Sequence, residues 1–207
     1  MRKSKALGLL LLAVVLTTGC ATTKVKDTWR KPEFTGKVHK VYLIGVTRND
    51  KLRRVFEEEL ARQLAVHGVT GIPSYADLQI SGDIDREALR ARLRAKGTDA
   101  VLVARITGQE QRAAMYSGAE AGYTTFSPLN VYYDQYYNSS VTIVTTGPAV
   151  TSDFRVVNIT ANLFETESAE VVWAALTETA VNDDNREQRI REYGETVVRK
   201  LKEDGLL

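Results

Sequence analysis

The sequence has few of the residues that most often carry catalysis, metal binding or covalent cross-linking. Its 207 residues include one cysteine, two histidines and four prolines. A single cysteine excludes an intramolecular disulfide and a metal site built from several thiolates. His39 and His67 cannot form a three-histidine or HExxH zinc site. We therefore expect surface or capping roles for both histidines and predict no metal site.

Sequence motifs of common enzymes are missing as well. The patterns G-x-S-x-G and S-x-x-K do not occur, and neither does a P-loop or a G-x-G-x-x-G turn. Asp83, Asp85 and Glu87 alternate as calcium ligands do, but the last place of a calcium loop counted from Asp83 is Arg94, which would repel the ion. The sequence thus predicts a protein that is not an enzyme and needs no cofactor.

The chain carries little excess charge of either sign. It has 28 basic and 26 acidic residues, and Arg2, Lys3 and Lys5 lie in a leader that we expect to be removed, which leaves 25 basic residues. A nearly neutral body lacks the basic surface that nucleic-acid binding requires. We therefore predict no nucleic-acid partner. With 43% hydrophobic and 26% charged residues, the composition is that of an ordinary globular domain.

Residues 1–20 (MRKSKALGLLLLAVVLTTGC) have the layout of a bacterial secretory signal. Three basic residues precede the apolar stretch Ala6–Leu16, and small residues lead to Cys20. As a helix this stretch would rise only about 16 Å, against ~30 Å of hydrocarbon in a bilayer, so it is too short to remain as a membrane span.

The end of this leader resembles a lipobox, the processing signal of bacterial lipoproteins, with Thr17 at a place where leucine is usual. The resemblance implies a signal peptide over 1–19 and lipid attachment at Cys20, with palmitate-type acyl chains. Two or three such chains hold a protein on a membrane, whereas one is marginal. Ala21 implies the outer membrane, facing the periplasm, under the sorting rule of enterobacteria. A plain secretory peptide is the alternative.

The polar residues 20–37 predict a tether, ordered only near Trp29. A buried strand follows over Val41–Val46, and then a helix capped by Asn49 or Asp50. The helix has an apolar stripe at three- and four-residue steps, formed by Leu52, Val55, Phe56, Leu60 and Leu64. The pairs Arg53–Glu57 and Arg54–Glu58 are expected to mark its solvated face.

The remaining pattern predicts one α/β domain over 38–207 with an α+β tendency. Two β-α-β units over 41–75 and 69–106 give parallel strands, with a helix from Asp85 to Gly97 in the second unit. Alternation over 157–179 predicts an antiparallel hairpin with Trp173 facing inward, and a third helix follows from Asn182. We expect a mixed sheet of about five strands and three helices.

An insert at about 109–153 is rich in tyrosine, glycine and serine. It holds six of the nine tyrosines of the chain. Because tyrosine is enriched at interfaces, we predict a partner-contact segment there. The proposed contact residues are Tyr132, Tyr133, Tyr136 and Tyr137. A low-complexity loop, or tyrosines that cover an open sheet edge, are the alternatives.

Several segments together resemble a class of uncharacterised bacterial lipoproteins. They are VYLIGVTRNDKLRRVFEEELARQL, DAVLVARI and LFETESAEVVWAALTET. The layout over 28–116 and 154–207 is similar to the amino-terminal α/β domain of TolB, shared by the lipoprotein activators of penicillin-binding proteins and the curli secretion lipoprotein. The resemblance implies a docking module of the cell envelope. No catalytic residues are known for this class.

The sequence therefore predicts a non-enzymatic envelope lipoprotein, anchored through Cys20 and docking an envelope protein. Two alternatives stay open. One is an oligomeric subunit associated with secretion or a pore. The other is a small-ligand-binding protein or weak hydrolase, with a pocket at the ends of the parallel strands near Arg48–Asp50 and Thr107.

Replacing the single cysteine tests the anchor. We expect the Cys20→Ser chain to be soluble or unprocessed, because serine has no thiol to which the lipid could be attached. Fractionation of cells into membrane and soluble material measures this. An unchanged membrane fraction would contradict the prediction.

Overall fold

The computed structural model describes residues 22–79, 86–111, 155–181 and 185–207. The strands are β1 (Thr23–Arg30), β2 (Lys40–Val46), β3 (Thr70–Pro73), β4 (Ala100–Gln111), β5 (Arg155–Glu165) and β6 (Val171–Val181). The helices are α1 (Asp50–Val66), α2 (Arg86–Lys96) and α3 (Arg186–Glu203), and a 3-10 turn spans Ser74–Ala76.

The strands form one mixed sheet in the order β1-β6-β5-β4-β2-β3. β2 lies between β3 and β4 and is parallel to both, as the two predicted β-α-β units require. β4, β5, β6 and β1 are successively antiparallel. The α/β class and the hairpin are thus confirmed, and the strand count is six instead of about five.

The sixth strand corrects the predicted tether over 20–37. β1 pairs antiparallel with β6, from Thr23 opposite Thr179 to Arg30 opposite Trp173. Much of β1 is exposed, as is usual for a strand at the edge of a sheet. Its lysines disfavour pairing with a strand of another chain. A polar edge strand has no apolar run, which explains why the sequence pattern predicted a tether.

The sheet is covered on both faces. One face packs against α1 and α3 in a cluster that includes Leu43, Leu102, Leu163, Trp173 and Val197. The other face carries a second cluster, in which Leu89 and Leu93 of α2 pack on the strands. Trp173 is fully buried, as predicted, and its indole Nε1 donates to Asp204 Oδ2 at 2.7 Å.

The helix ends follow the sequence with one difference. Asn49 caps α1, since its Oδ1 accepts from the Leu52 amide at 3.0 Å, and His67 is the residue at the carboxyl-terminal cap. The third helix begins at Arg186, whereas Asn182 was expected. Asp85, the predicted cap of α2, lies outside the described residues.

The tyrosine-rich insert lies almost entirely outside the described residues. Only its first three residues are described, and they belong to β4, which continues to Gln111. The four proposed contact residues, Tyr132, Tyr133, Tyr136 and Tyr137, also fall outside, as does Cys20. Their predicted roles therefore stay predictions.

The Arg53–Glu57 pair is buried, so its expected place on a solvated face was wrong. Glu57 Oε1 accepts from Arg53 Nε at 2.9 Å and from the Gly45 amide at 2.9 Å. Its Oε2 accepts from the Tyr75 amide at 2.8 Å. Arg53 in turn donates to the Ser74 hydroxyl and, at 2.8 Å, to the Leu78 carbonyl. The pair thus fastens α1 to β2 and to the 3-10 turn.

The neighbouring pair provides a matched comparison for this buried one. Arg54 and Glu58 have the same spacing and the same contact, with Nε to Oε1 at 3.0 Å, but both are exposed. Removing one member of a buried pair leaves the other charge uncompensated, whereas an exposed charge is solvated by water.

We therefore expect Arg53→Ala to lower the free energy of unfolding by about 3–5 kcal/mol, because Glu57 would be left buried without its cation. Arg54→Ala should leave that free energy nearly unchanged. Urea titration of both variants measures the difference. If Arg53→Ala changes the free energy of unfolding as little as Arg54→Ala does, the Arg53–Glu57 pair does not stabilise the fold.

Candidate functional site

A cavity of about 310 Å³ lies at the carboxyl ends of the parallel strands β2 and β4. Its wall is formed by the ends of these strands, by β5 and β6, and by the amino-terminal halves of α1 and α3. This is the end of an open α/β sheet at which ligands usually bind.

The local sequence brings α1 close to β2 at the inner side of the cavity. Gly45 has no side chain, and a Cβ there would lie only 3.0 Å from Phe56 Cδ1. Phe56 can therefore pack directly over the strand, with its ring centroid 5.3 Å from that of Tyr193 on α3. The next residue along, Glu57, holds the Gly45 amide, so the position of Phe56 is fixed from both sides.

The wall combines an apolar lining with positive charge. Leucine, isoleucine, valine and phenylalanine side chains make up much of it, and four arginines are the charged residues among those described in the wall. They are Arg105, Arg155, Arg186 and Arg189. None of the lining residues that the structure describes is acidic, and none is histidine or cysteine. The cavity therefore presents apolar surface and guanidinium groups to a ligand.

Two buried polar atoms in this wall have no hydrogen-bond partner among the described residues. They are the Tyr193 hydroxyl and Arg189 Nε. Tyr193 is 1% exposed, and burial raises the pKa of its phenol, so the hydroxyl stays a neutral donor. An unmatched buried donor costs free energy, which a ligand with an acceptor atom would recover.

The cavity lies next to the start of β1. The Thr22 hydroxyl donates to Glu192 and accepts from Arg189 of the cavity wall. The Thr23 hydroxyl lies 3.0 Å from that of Thr179, another wall residue. Since two residues span at most about 7 Å, Cys20 is covalently held within that distance of Thr22.

Glu192 forms a junction between the start of β1 and α3, because its carboxylate contacts both Thr22 and Arg189. Burial opposes its ionisation, but hydrogen bonds from Thr22, Arg189 and Gln188 outweigh burial and lower the pKa of Glu192. The carboxylate also lies 2.7 Å from Arg189 Nη1. The junction therefore keeps an ionised acid between the start of β1 and the first turns of α3.

The cavity is adjacent to the pocket that the sequence offered as an alternative, but its residues differ. Thr47, Ile106 and Gln109 line it, whereas Arg48–Asp50 and Thr107 do not. Sequence analysis missed the arginines because they come from separate segments, and it did not single out Tyr193. The one local signal is that Tyr193 falls at helical spacing with the apolar residues Ile190 and Val197.

Other kinds of site find little support in the described ranges. No group of three or more His, Cys, Asp or Glu there is placed to hold a metal ion. Within the same ranges, no helix has both the length and the hydropathy needed to cross a membrane. His39 is exposed, and its backbone amide donates to Asp99 Oδ2 at 2.7 Å, a contact that does not involve the imidazole.

Two tyrosine variants test the unmatched donor. Tyr193→Phe should raise the free energy of unfolding of ligand-free protein by up to about 1 kcal/mol, because it removes a buried hydroxyl without a partner. Tyr42→Phe should lower it by about 1–2 kcal/mol, because the Tyr42 hydroxyl donates to Asp77 at 2.6 Å. Urea titration compares them. A loss of stability in Tyr193→Phe as large as that in Tyr42→Phe would show that the Tyr193 hydroxyl is bonded.

Comparison with known proteins gives no family assignment. No protein-family model matches the sequence, and no curated protein is significantly similar to it. A single-site variant of the PelC dodecamer from Paraburkholderia phytofirmans has 13% identity and a TM-score of 0.44, over 86% of this chain and 95% of that chain. The PelC dodecamer in a second crystal form gives 14% and 0.42, over 84% and 95%. Lipoprotein GNA1162 from Neisseria meningitidis gives 12% and 0.41, over 80% and 99%. These are distant structural neighbours, and the TolB-type resemblance stays a prediction.

Proposed function

We propose that this chain is a non-enzymatic lipoprotein of the bacterial envelope, anchored by acyl chains on Cys20, whose α/β body is held against the bilayer and docks an envelope protein. The outer membrane, on its periplasmic side, is the proposed location. The proposal joins the lipobox-like leader to the position of β1 and the cavity.

The start of β1 at Thr23 is the observation that carries the proposal. A free tether over 20–37 could extend about 60 Å and let the body diffuse away from the membrane surface. Pairing of β1 with β6 shortens the free chain after Cys20 to two residues, or about 7 Å. The body of an acylated chain therefore has to rest at the bilayer surface.

The same pairing supports one orientation of the sheet towards the lipid. Thr23, Thr179, Val157 and Gln109 are register partners across β1, β6, β5 and β4, so they lie at one end. That end holds the cavity and its arginines. Positive charge beside an anionic bilayer surface favours this orientation.

The tyrosine-rich segment departs from this membrane-facing end too. Gln111 and Arg155, between which the segment lies, are register partners in β4 and β5. A partner bound by Tyr132 or Tyr136 would therefore be attached to a segment whose two ends leave the sheet near the bilayer. This supports a partner that is itself embedded in or apposed to the membrane.

Small-ligand binding is a second candidate function, favoured by the cavity itself. A volume of about 310 Å³ is at the lower end of the range for small-molecule sites. The described wall carries no acid, imidazole or thiol that could act as a general base or nucleophile. Binding without turnover is therefore the proposed use of the cavity.

Photocrosslinking in living cells tests the docking proposal. A photoreactive residue at Tyr132 or Tyr136 should capture one and the same envelope protein. The same residue at Glu167, which is exposed in the turn between β5 and β6 at the other end of the sheet, should not. Deletion of 117–139 should abolish capture and leave the chain in the membrane fraction. Capture that survives the deletion, or that is equal from Glu167, would refute docking through this segment.

A further inference from the structure

We propose that the cavity binds one acyl chain of an anionic phospholipid taken from the bilayer, with the lipid phosphate on the arginines at the cavity mouth. The proposal rests on the anchoring at Cys20 proposed above and names the ligand class of the adjacent cavity.

The lining fits a hydrocarbon chain. Leu52 and Phe56 of α1, Val157 and Ile159 of β5 and Ile190 of α3 face the cavity and leave it largely apolar. A volume of about 310 Å³ is far below that of a whole phospholipid and is at the lower end of the range for small-molecule sites. The cavity therefore suits part of one chain, with the rest of the lipid outside.

The charged residues fit a phosphate. Guanidinium groups bind phosphate oxygens by paired hydrogen bonds, and the described wall has four of them. One of the four, Arg189, also pairs with the Glu192 carboxylate beside the wall. Arg155 and Arg186 are exposed, which places them where a head group in the membrane interface can be bound. Arg189 is less exposed, and its Nε is buried without a partner in the described residues.

The order of polar groups along the cavity matches the order in a phospholipid. Tyr193 lies four residues after Arg189 on α3, about 6 Å further along the helix axis. In a phospholipid the ester carbonyls lie inward of the phosphate, on the side of the acyl chains. A phosphate at Arg189 would therefore bring an ester carbonyl towards the Tyr193 hydroxyl, the buried donor without a partner.

The position of the anchor indicates that the ligand comes from the bilayer. Arg189 binds Thr22, which is two residues from Cys20, so the cavity mouth is held at the membrane surface. The acyl chains on Cys20 itself are the main competing occupant, but they carry no phosphate that a guanidinium group could bind. A peptide segment is another competitor, and it too would exclude lipid from the wall.

Photolabelling in vesicles tests the proposal on the complete acylated chain. Vesicles contain a trace of phosphatidylglycerol, or in a parallel sample phosphatidylcholine, with a diazirine at the end of one acyl chain. Flotation of the vesicles reports anchoring, and mass spectrometry of peptides reports the labelled residues. We expect label on the wall segments Val157–Ile159 and Arg186–Tyr193, several-fold stronger from phosphatidylglycerol.

Variants separate the cavity from the surface around it. Ile190→Trp fills the cavity and should abolish wall labelling while flotation is retained. Its control, Glu195→Trp, introduces the same ring at an exposed position of α3 and should label as the unaltered chain does. Arg155→Glu combined with Arg186→Glu should remove the preference for phosphatidylglycerol, whereas Arg199→Glu, exposed on the same helix, should retain it.

Three results would overturn the proposal. The first is a floating chain whose wall is unlabelled, which means that its own acyl groups or a peptide segment occupy the cavity. The second is equal labelling by the two lipids, which removes the role of the arginines. The third is a chain that does not float. That result rejects the anchoring itself, and with it the bilayer as the source.

Discussion

The pairing of β1 with β6 is the interaction on which the arrangement of this protein depends. It is fixed at both ends of the strand. Thr23 meets Thr179 at one end, and at the other Arg30 donates to the carbonyls of Phe34 and Asp204. Because β1 follows Cys20 almost directly, the same ladder that closes the sheet also limits, in the proposed lipoprotein, how far the body can lie from an acylated cysteine and which end can face the lipid.

The buried Arg53–Glu57 pair gives the cavity a fixed inner wall. It ties α1 to the Gly45 amide and to the 3-10 turn, and so it holds the neighbouring Phe56 over the strand. An apolar space lined by mobile side chains would tend to collapse, whereas one bounded by a helix held through several hydrogen bonds can stay open. The cavity is therefore a consequence of the fold and does not need a ligand to form.

Local patterns were sufficient for most of the elements and insufficient for β1 and for the site. Helical and strand periodicity predicted α1, the parallel strands and the hairpin, because each depends on residues near in sequence. Arg53–Glu57 and Arg54–Glu58 have identical spacing, and only the packing of the helix decides that the first pair is buried. The cavity arginines converge from three segments, so no local pattern contains them.

The central claim is that the acyl anchor and β1 hold the cavity end of the sheet at the bilayer. With Cys20 acylated, an introduced cysteine would be the only free thiol, so a spin label can be placed at Gln188→Cys near the cavity or at Glu167→Cys at the other end. The ten residue steps of β5 separate these ends by about 33 Å. In vesicles, the label at 188 should be relaxed by lipid-dissolved oxygen and the label at 167 by an aqueous nickel chelate. The same relaxation profile at both positions, or the reverse order, would contradict the account.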